Sequence, residues 1–350
     1  MNKKKRIIKA MYIIAGLLLI TALFAGYFFY NMIYANNVSN QLKQPYYLYI
    51  KNNSDINTVM DSLKTANVLV DMQSFKWVCD KKNYSKKVKG GRYEIIPGMS
   101  NNELVNNLRS GNQKPIKLTF NSIRTKYELA KKISEQLSFD SLELINLLNN
   151  KDFLKKQGFT PENVISMFIP NTYEFYWNKS PESFFEKMQQ EYQKFWNKER
   201  LDKLNRLNMT RLQASTLASI VQAEQSVHND EKARVAGVYI NRLKKEMHLE
   251  SCPTVFYAMG DFSRRRLLNR DLEFESPYNT YKYGGIPPAP INLPEISSID
   301  AVLNYEKHNY IFFCAKEDFS GYHYFSTNLK QHNIYARRIQ LALNKKGIKQ

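Results

Sequence analysis

The sequence predicts an α+β protein: one N-terminal apolar helix, a small α+β module, and a mixed domain with a helical core and an aromatic, Pro-rich loop. Three observations carry that prediction. No charge occurs from Ala10 to Ala35. Strand-like and helix-like patterns alternate in short units between Tyr46 and Phe120. Beyond Asp140 apolar residues recur at helical spacing, until the segment from Ser276 to Asn292 becomes too rich in Pro, Gly and aromatic rings for a helix. The chain has 350 residues, 43% hydrophobic and 24% charged, which is a folded composition with room for two or three cores.

The first element is the apolar run. As a helix it extends roughly 39 Å at about 1.5 Å per residue, enough for a ~30 Å hydrocarbon core with some tilt. It is longer than the core of a cleaved signal peptide, and Tyr27, Phe28, Phe29 and Tyr30 suit a membrane–water boundary. Lys3, Lys4, Lys5, Arg6 and Lys9 precede it, and no acidic residue occurs before Asn36. The positive-inside rule therefore predicts a single-pass anchor, with residues 1–9 cytoplasmic, 10–35 spanning the cytoplasmic membrane, and everything later outside.

Asn36 to Pro45 is polar and aperiodic, and reads as a short stalk. Tyr46–Ile50 is a strand candidate, followed by a helical pattern through Val59, Leu63 and Val68. Gly91 to Ile96 is a second strand, turned by Pro97-Gly98. Ser100 and Glu103 have the spacing of a capping box, Leu104 and Leu108 supply the apolar face, and Gly111 stands where a C-terminal cap belongs. Ile116–Phe120 is a third strand, leading to a helix from Lys126 with Leu129, Ile133 and Leu137 on one stripe. Residues 46–120 thus form one module and 121–345 a second domain. In the latter, Phe168 to Tyr173 interrupts the helices at Pro170, and one long amphipathic helix is predicted from Pro181 to Leu204.

The chemistry centres on a helix beginning near Thr210. Leu217, Ile220, Val221 and Glu224 are related by three- and four-residue offsets, which places a carboxyl group in an apolar wall. Desolvation there favours the neutral acid and raises its pKa, the property a general acid needs near neutral pH. The helix should end near Gln225, and Asn229 should cap a second one carrying Val235, Val238, Arg242 and Leu243. A solvated Glu224, or one paired with Arg234 or Arg242, is the plainer alternative. The segments Ser276–Tyr281 and Gly284–Asn292 offer hydroxyls, amides and ring faces of the kind that hydrogen-bond and stack on sugars; a rigid structural loop is the alternative there.

Other chemistries find less support. The net charge of +19 implies attraction to a polyanion, but an extracytoplasmic body meets wall polymer and lipid rather than nucleic acid. Cys79, Cys252 and Cys314 show no metal or redox spacing and read as small buried hydrophobes. His228, His248, His308, His323 and His332 lack zinc spacing, no nucleophile-elbow motif occurs, and no cofactor or metal is expected.

Several separated motifs resemble one family. Leu217 to Glu224, Val235 to Leu243, Pro253-Thr254-Val255, Ser276 to Tyr281, Gly285 to Ile291, and Gly321, His323, Phe325, Thr327, His332 and Asn333 resemble, in order, the endolytic murein transglycosylases of the YceG-like family. The resemblance implies a LysM-like module at 46–120 and a YceG-like catalytic domain at 121–345. It also implies a lyase that cleaves the MurNAc–GlcNAc bond of peptidoglycan strands with 1,6-anhydro-MurNAc formation, ending nascent strands beside peptidoglycan synthases. By position the catalytic acid is Glu224, and Asn241, Arg242, Thr254, Tyr257, Tyr278, Asn279, Thr280, Tyr281 and His323 are the substrate-binding candidates. Gln222, Cys252, Asn171 and Ala289 depart from residues common in the family. Two other readings are a non-catalytic peptidoglycan-binding scaffold, and a hydrolytic muramidase with Asp230, Glu231 or Asp271 as second carboxylate.

Overall fold

The computed structural model describes residues 2–262 and 267–346. The fold is mixed α+β, with three two-stranded sheets among the described residues. Two units divide the chain. One holds the residues up to Lys117 with Gln136–Ser138 and Glu174–Lys179; the other holds Leu118–Glu135, Phe139–Tyr173 and the chain from Ser180 onward.

The first unit opens with helix α1 (Asn2–Tyr34), long and apolar enough to cross a membrane. Ile13, Leu18, Leu23 and Phe24 are all more than half exposed, so the helix buries little of its apolar surface against the described residues. Strand β1 (Tyr46–Ile50) follows, then α2 (Ile56–Thr65), α3 (Met72–Lys81), β2 (Gly91–Ile95) and α4 (Asn101–Ser110). β1 and β2 pair antiparallel, Leu48 opposite Tyr93, and bury alternate residues as a half-exposed sheet should. The capping box of Ser100 and Glu103 is present, and Gly111 caps α4 at φ 79°. Val59, Leu63, Phe75, Val78, Leu104 and Leu108 fill the core between helices and sheet.

Two expectations fail in this unit. Helix α3 was not foreseen: its apolar stripe is short, and its start is set by Asp71, whose carboxylate accepts from Gln73 N and Ser74 N. The stalk is not a free one. Asn37 and Val38 are buried, Val38 bridges Leu69, and Asn37 hydrogen-bonds both the backbone of Asp71 and the side chain of Asn101. A polar segment without periodicity can still be ordered when its amides complete a buried network.

Strand β3 (Ile116–Phe120) pairs with β4 (Asn171–Phe175), the interruption expected at Pro170. Between them lie α5 (Lys126–Ser134), α6 (Ser141–Asn149) and α7 (Lys151–Lys156); α5 stops short of Leu137, which is buried beyond its end. The single helix expected over 181–204 is two, α8 (Pro181–Phe195) and α9 (Lys198–Leu207). The break falls where Trp196 buries itself and Asn197 Oδ1 accepts from Arg200 N at 3.0 Å, so a new cap outcompetes continuation.

Helix α10 (Arg211–Glu224) begins at a capping box of Thr210 and Gln213 and ends at Gln225. Every residue from Ala214 to Val221 is buried, more than the single apolar face expected. Its small residues allow this, because α11 (Lys232–Lys244), α12 (Cys252–Met259) and α13 (Ile296–Leu303) all pack against it. Helix α11 starts at Lys232 rather than after an Asn229 cap. Lys232 is buried and donates to Ser297 Oγ at 3.1 Å beside the start of α13, which fixes that end. The hairpin of β5 (Phe312–Ala315) and β6 (His323–Ser326), then α14 (Leu329–Lys345), complete the unit.

Candidate active site

Glu224 is the last residue of α10, where the helix leaves the packed interior, and its side chain is half-buried. Oε1 accepts hydrogen bonds from Ser251 Oγ at 2.6 Å and Tyr239 Oη at 2.9 Å. No other side-chain bond of Glu224 occurs among the described residues, and none of them donates to Oε2. Burial pushes its pKa up; the two hydroxyl bonds and the nearby His323 oppose that push without reversing it. The alternative ion pairs are not made: Arg234 pairs with Glu306 and Arg242 with Glu250. The carboxyl group therefore combines a favoured neutral form with one oxygen held and the other free.

The expected substrate-binding residues are brought around Glu224, but most turn inward. Thr280 Oγ1 accepts from Ser251 N at 2.9 Å and lies 2.9 Å from Thr254 Oγ1, which donates to Ser251 O at 2.7 Å. Both threonines are buried, so their role is to hold Ser251 against Glu224 rather than to meet a ligand. Asn279 is fully buried. Its Nδ2 donates to Leu272 O and Phe274 O, and its Oδ1 accepts from Tyr281 N, folding the loop that presents Tyr281. Asn241 donates to the carbonyls of His308 and Tyr310, and buried Arg242 holds Glu250 and Leu249 O beside Ser251. Burial and bonds already made turn Arg242, Thr254, Asn279 and Thr280 inward, whereas Asn241 is half-exposed with its amide nitrogen occupied.

Tyr257, Tyr278 and Tyr281 remain half-exposed. Tyr257 and Tyr278 lie with ring centroids 4.9 Å apart, and Tyr281 Oη is 3.2 Å from Cys252 Sγ. Cys252 is exposed and Cys314 half-exposed, so only Cys79 behaves as the buried hydrophobe expected of all three. Burial beneath the surface nonetheless pushes the Cys252 thiol up, keeping it protonated beside the acid. A groove of about 430 Å³ runs along Ala223 and Ser226, the neighbours of Glu224, with Tyr257, Phe262 and Arg124 among its walls.

Ser251, Tyr239 and Gln225 were not singled out from the sequence, and Glu231 was weighed only as a second carboxylate. Ser251 precedes a recognised motif and Tyr239 lies within one, yet neither carries a signal of its own. Glu231 accepts from His323 N at 3.0 Å and meets His323 Nδ1 at 2.7 Å, while Gln225 bonds the same carboxylate and the carbonyl of Gly321. These contacts join the hairpin to the end of α10 and position His323 near Glu224; they also occupy Glu231, one of the candidate second carboxylates. Gln222, the departure two residues before the acid, accepts from Glu295 N at 2.6 Å and Ser298 Oγ at 3.1 Å and so caps α13.

The profile of the YceG-like family matches residues 48–338. The chain belongs to that family. An endolytic murein transglycosylase of Bacillus subtilis (strain 168) is 28% identical to this YceG-like chain over 331 residues, 88% of each. One of Streptococcus pneumoniae serotype 2 is 32% identical over 130 residues, covering 36% of this chain and 23% of that one. A crystal structure of a YceG-like protein from Listeria monocytogenes superposes with a TM-score of 0.56 at 28% identity, covering 83% of this chain and 99% of the other.

Proposed function

We propose that this chain is a membrane-anchored lytic transglycosylase that cleaves the MurNAc–GlcNAc bond of peptidoglycan strands, with Glu224 as its single catalytic acid. The observation that carries the reading is the state of that carboxyl group: desolvated, paired with neither Arg234 nor Arg242, and held on Oε1 by Ser251 and Tyr239, with Ala223 and Ser226 close by in sequence lining a groove. The endolytic murein transglycosylases among its relatives supply the substrate class.

The reaction balances with one residue. Protonated Glu224 gives its Oε2 proton to the oxygen joining MurNAc C1 to GlcNAc, and the C1–O bond breaks. The carboxylate, steadied on Oε1 by the Tyr239 and Ser251 hydroxyls, then takes the proton of the C6 hydroxyl of the same MurNAc. O6 closes on C1, giving a 1,6-anhydro ring and restoring the acid. No water is consumed, so no second carboxylate is required. Tyr257, Tyr278 and Tyr281 offer ring faces to the sugars, and Arg124 a cation to acidic groups of the strand. Thr254, Thr280, Asn279, Asn241, Arg242 and His323 act by positioning.

Residues 1–9 lie in the cytoplasm, α1 spans the cytoplasmic membrane, 46–120 form a LysM-like module, and 121–345 form the catalytic domain outside. Acting there, the enzyme ends nascent strands near the peptidoglycan synthases. The test is the purified chain incubated with uncrosslinked glycan strands, wild type beside Glu224→Gln. Mass spectrometry should find anhydro-MurNAc ends with the wild type and none with the variant. Equal product from both, or reducing MurNAc ends, would contradict the assignment.

A further inference from the structure

The end of α1 is not a free tether. Asn101, buried in the first unit, donates from Nδ2 to the carbonyl of Met32 at 2.9 Å, and the Phe29 and Trp77 rings stack with centroids 5.4 Å apart. These contacts fix the start of α4 and the middle of α3 beside the last turns of the apolar helix. A groove of about 350 Å³ lies there, lined by the apolar Phe24, Phe28, Met32 and Val70 together with the polar Asp71, Ser74 and Asn101.

The depth of this groove follows from the span. A ~30 Å hydrocarbon core takes about 20 helical residues, so a core that begins after Lys9 ends near Phe29. Phe24 and Phe28 then lie within the hydrocarbon, and Val70 and Trp77 at its boundary. Val70 is 75% exposed, an exposure unfavourable in water and favourable against acyl chains. Trp77 has the ring type enriched at that boundary, and Lys81 Nζ sits 5.5 Å from its centroid, with Lys76 also exposed. The apolar groups of this face and the lysines beside Trp77 match a lipid, with its chain against Phe24, Phe28 and Val70 and its phosphate near the lysines.

We propose that this face, Val70, Trp77 and the groove against α1, is a lipid-contact surface that seats the module on the leaflet from which α1 emerges. The proposal rests on reading α1 as a membrane span, and its test separates the two. The full chain is reconstituted at one copy per nanodisc of phosphatidylcholine and phosphatidylglycerol, with acyl chains brominated at shallow or deep positions. Subtracting the emission of Trp77→Phe isolates the Trp77 signal from Trp177 and Trp196. Shallow bromines should quench that signal by half or more, and deep ones less. Val70→Asp, a change at an exposed side chain, should halve the shallow quenching while release of anhydro products stays unchanged. Emission indifferent to bromine overturns the proposal. So does a Trp77 signal that responds only when two copies share a disc, which would assign the face to a second copy. If alkaline carbonate strips the chain from membranes, the span fails and the proposal with it; retention with unquenched Trp77 removes the proposal alone.

Discussion

At the scale of single residues, the protonation of Glu224 governs both rate and stability. Its pKa is raised above the ordinary 4.5 by burial, so the folded chain holds a proton that the unfolded chain has released. Stability attributable to this group is therefore undiminished below 4.5 and falls as pH rises through the window up to the raised value. Glu224→Gln lacks that loss: thermal melts of the two proteins should agree at low pH and diverge in favour of the variant as pH rises. The kcat/KM of the wild type should hold through that window and fall once pH passes the raised value, because the first step needs the acid of the folded enzyme. Tyr239→Phe and Ser251→Ala each remove a donor that steadies the carboxylate. A hydrogen bond to a charged group contributes about 1.5–3 kcal/mol, so each variant should lose roughly 10- to 100-fold in kcat with its fold retained, read as anhydro product released per unit time.

At the scale of elements, close packing of α11 is the point most open to test. An added Cβ at Gly237 would lie 2.5 Å from the carbonyl oxygen of Glu306 and 2.6 Å from His308 Nε2. Gly237→Ala should thus destabilise by about 1–3 kcal/mol, despite alanine's better helix propensity, as measured by urea denaturation. The helix that carries Glu224 was legible from its apolar period, Leu217, Ile220 and Val221, and the capping box of Thr210 and Gln213 fixes its start in the structure. Elements fixed by distant partners were not. The split at Trp196, the start of α11 at Lys232 and the order of Asn37 each depend on a contact far along the chain, which local pattern cannot contain. The site divides the same way. Glu224 was identifiable as a carboxyl on an apolar face, whereas Ser251 is brought to it only by Thr254 and Thr280, and Glu231 and Gln225 join it to His323 only through the β5–β6 hairpin. Asn279 and Thr280 were read from the sequence as sugar ligands, but the Asn279 amide bonds the loop's own backbone and the Thr280 hydroxyl bonds Ser251 N and Thr254.

At the scale of the whole molecule, the net charge of +19 acts beside an anionic partner. Salt shortens the Debye length from about 10 Å at 0.1 M to about 3 Å at 1 M, so retention on isolated walls should decline steeply with ionic strength, as a co-sedimentation series would show. Turnover of short neutral fragments should respond far less. The family profile runs from residue 48 to 338 and so covers the segment that carries Glu224 together with most of the chain before it. The central claim is that the sugar's own hydroxyl, not water, closes the reaction on a single carboxyl group. Digestion in water enriched with oxygen-18 tests this most directly. The account predicts product ends lighter by one water and free of the label; label at MurNAc C1 would contradict it.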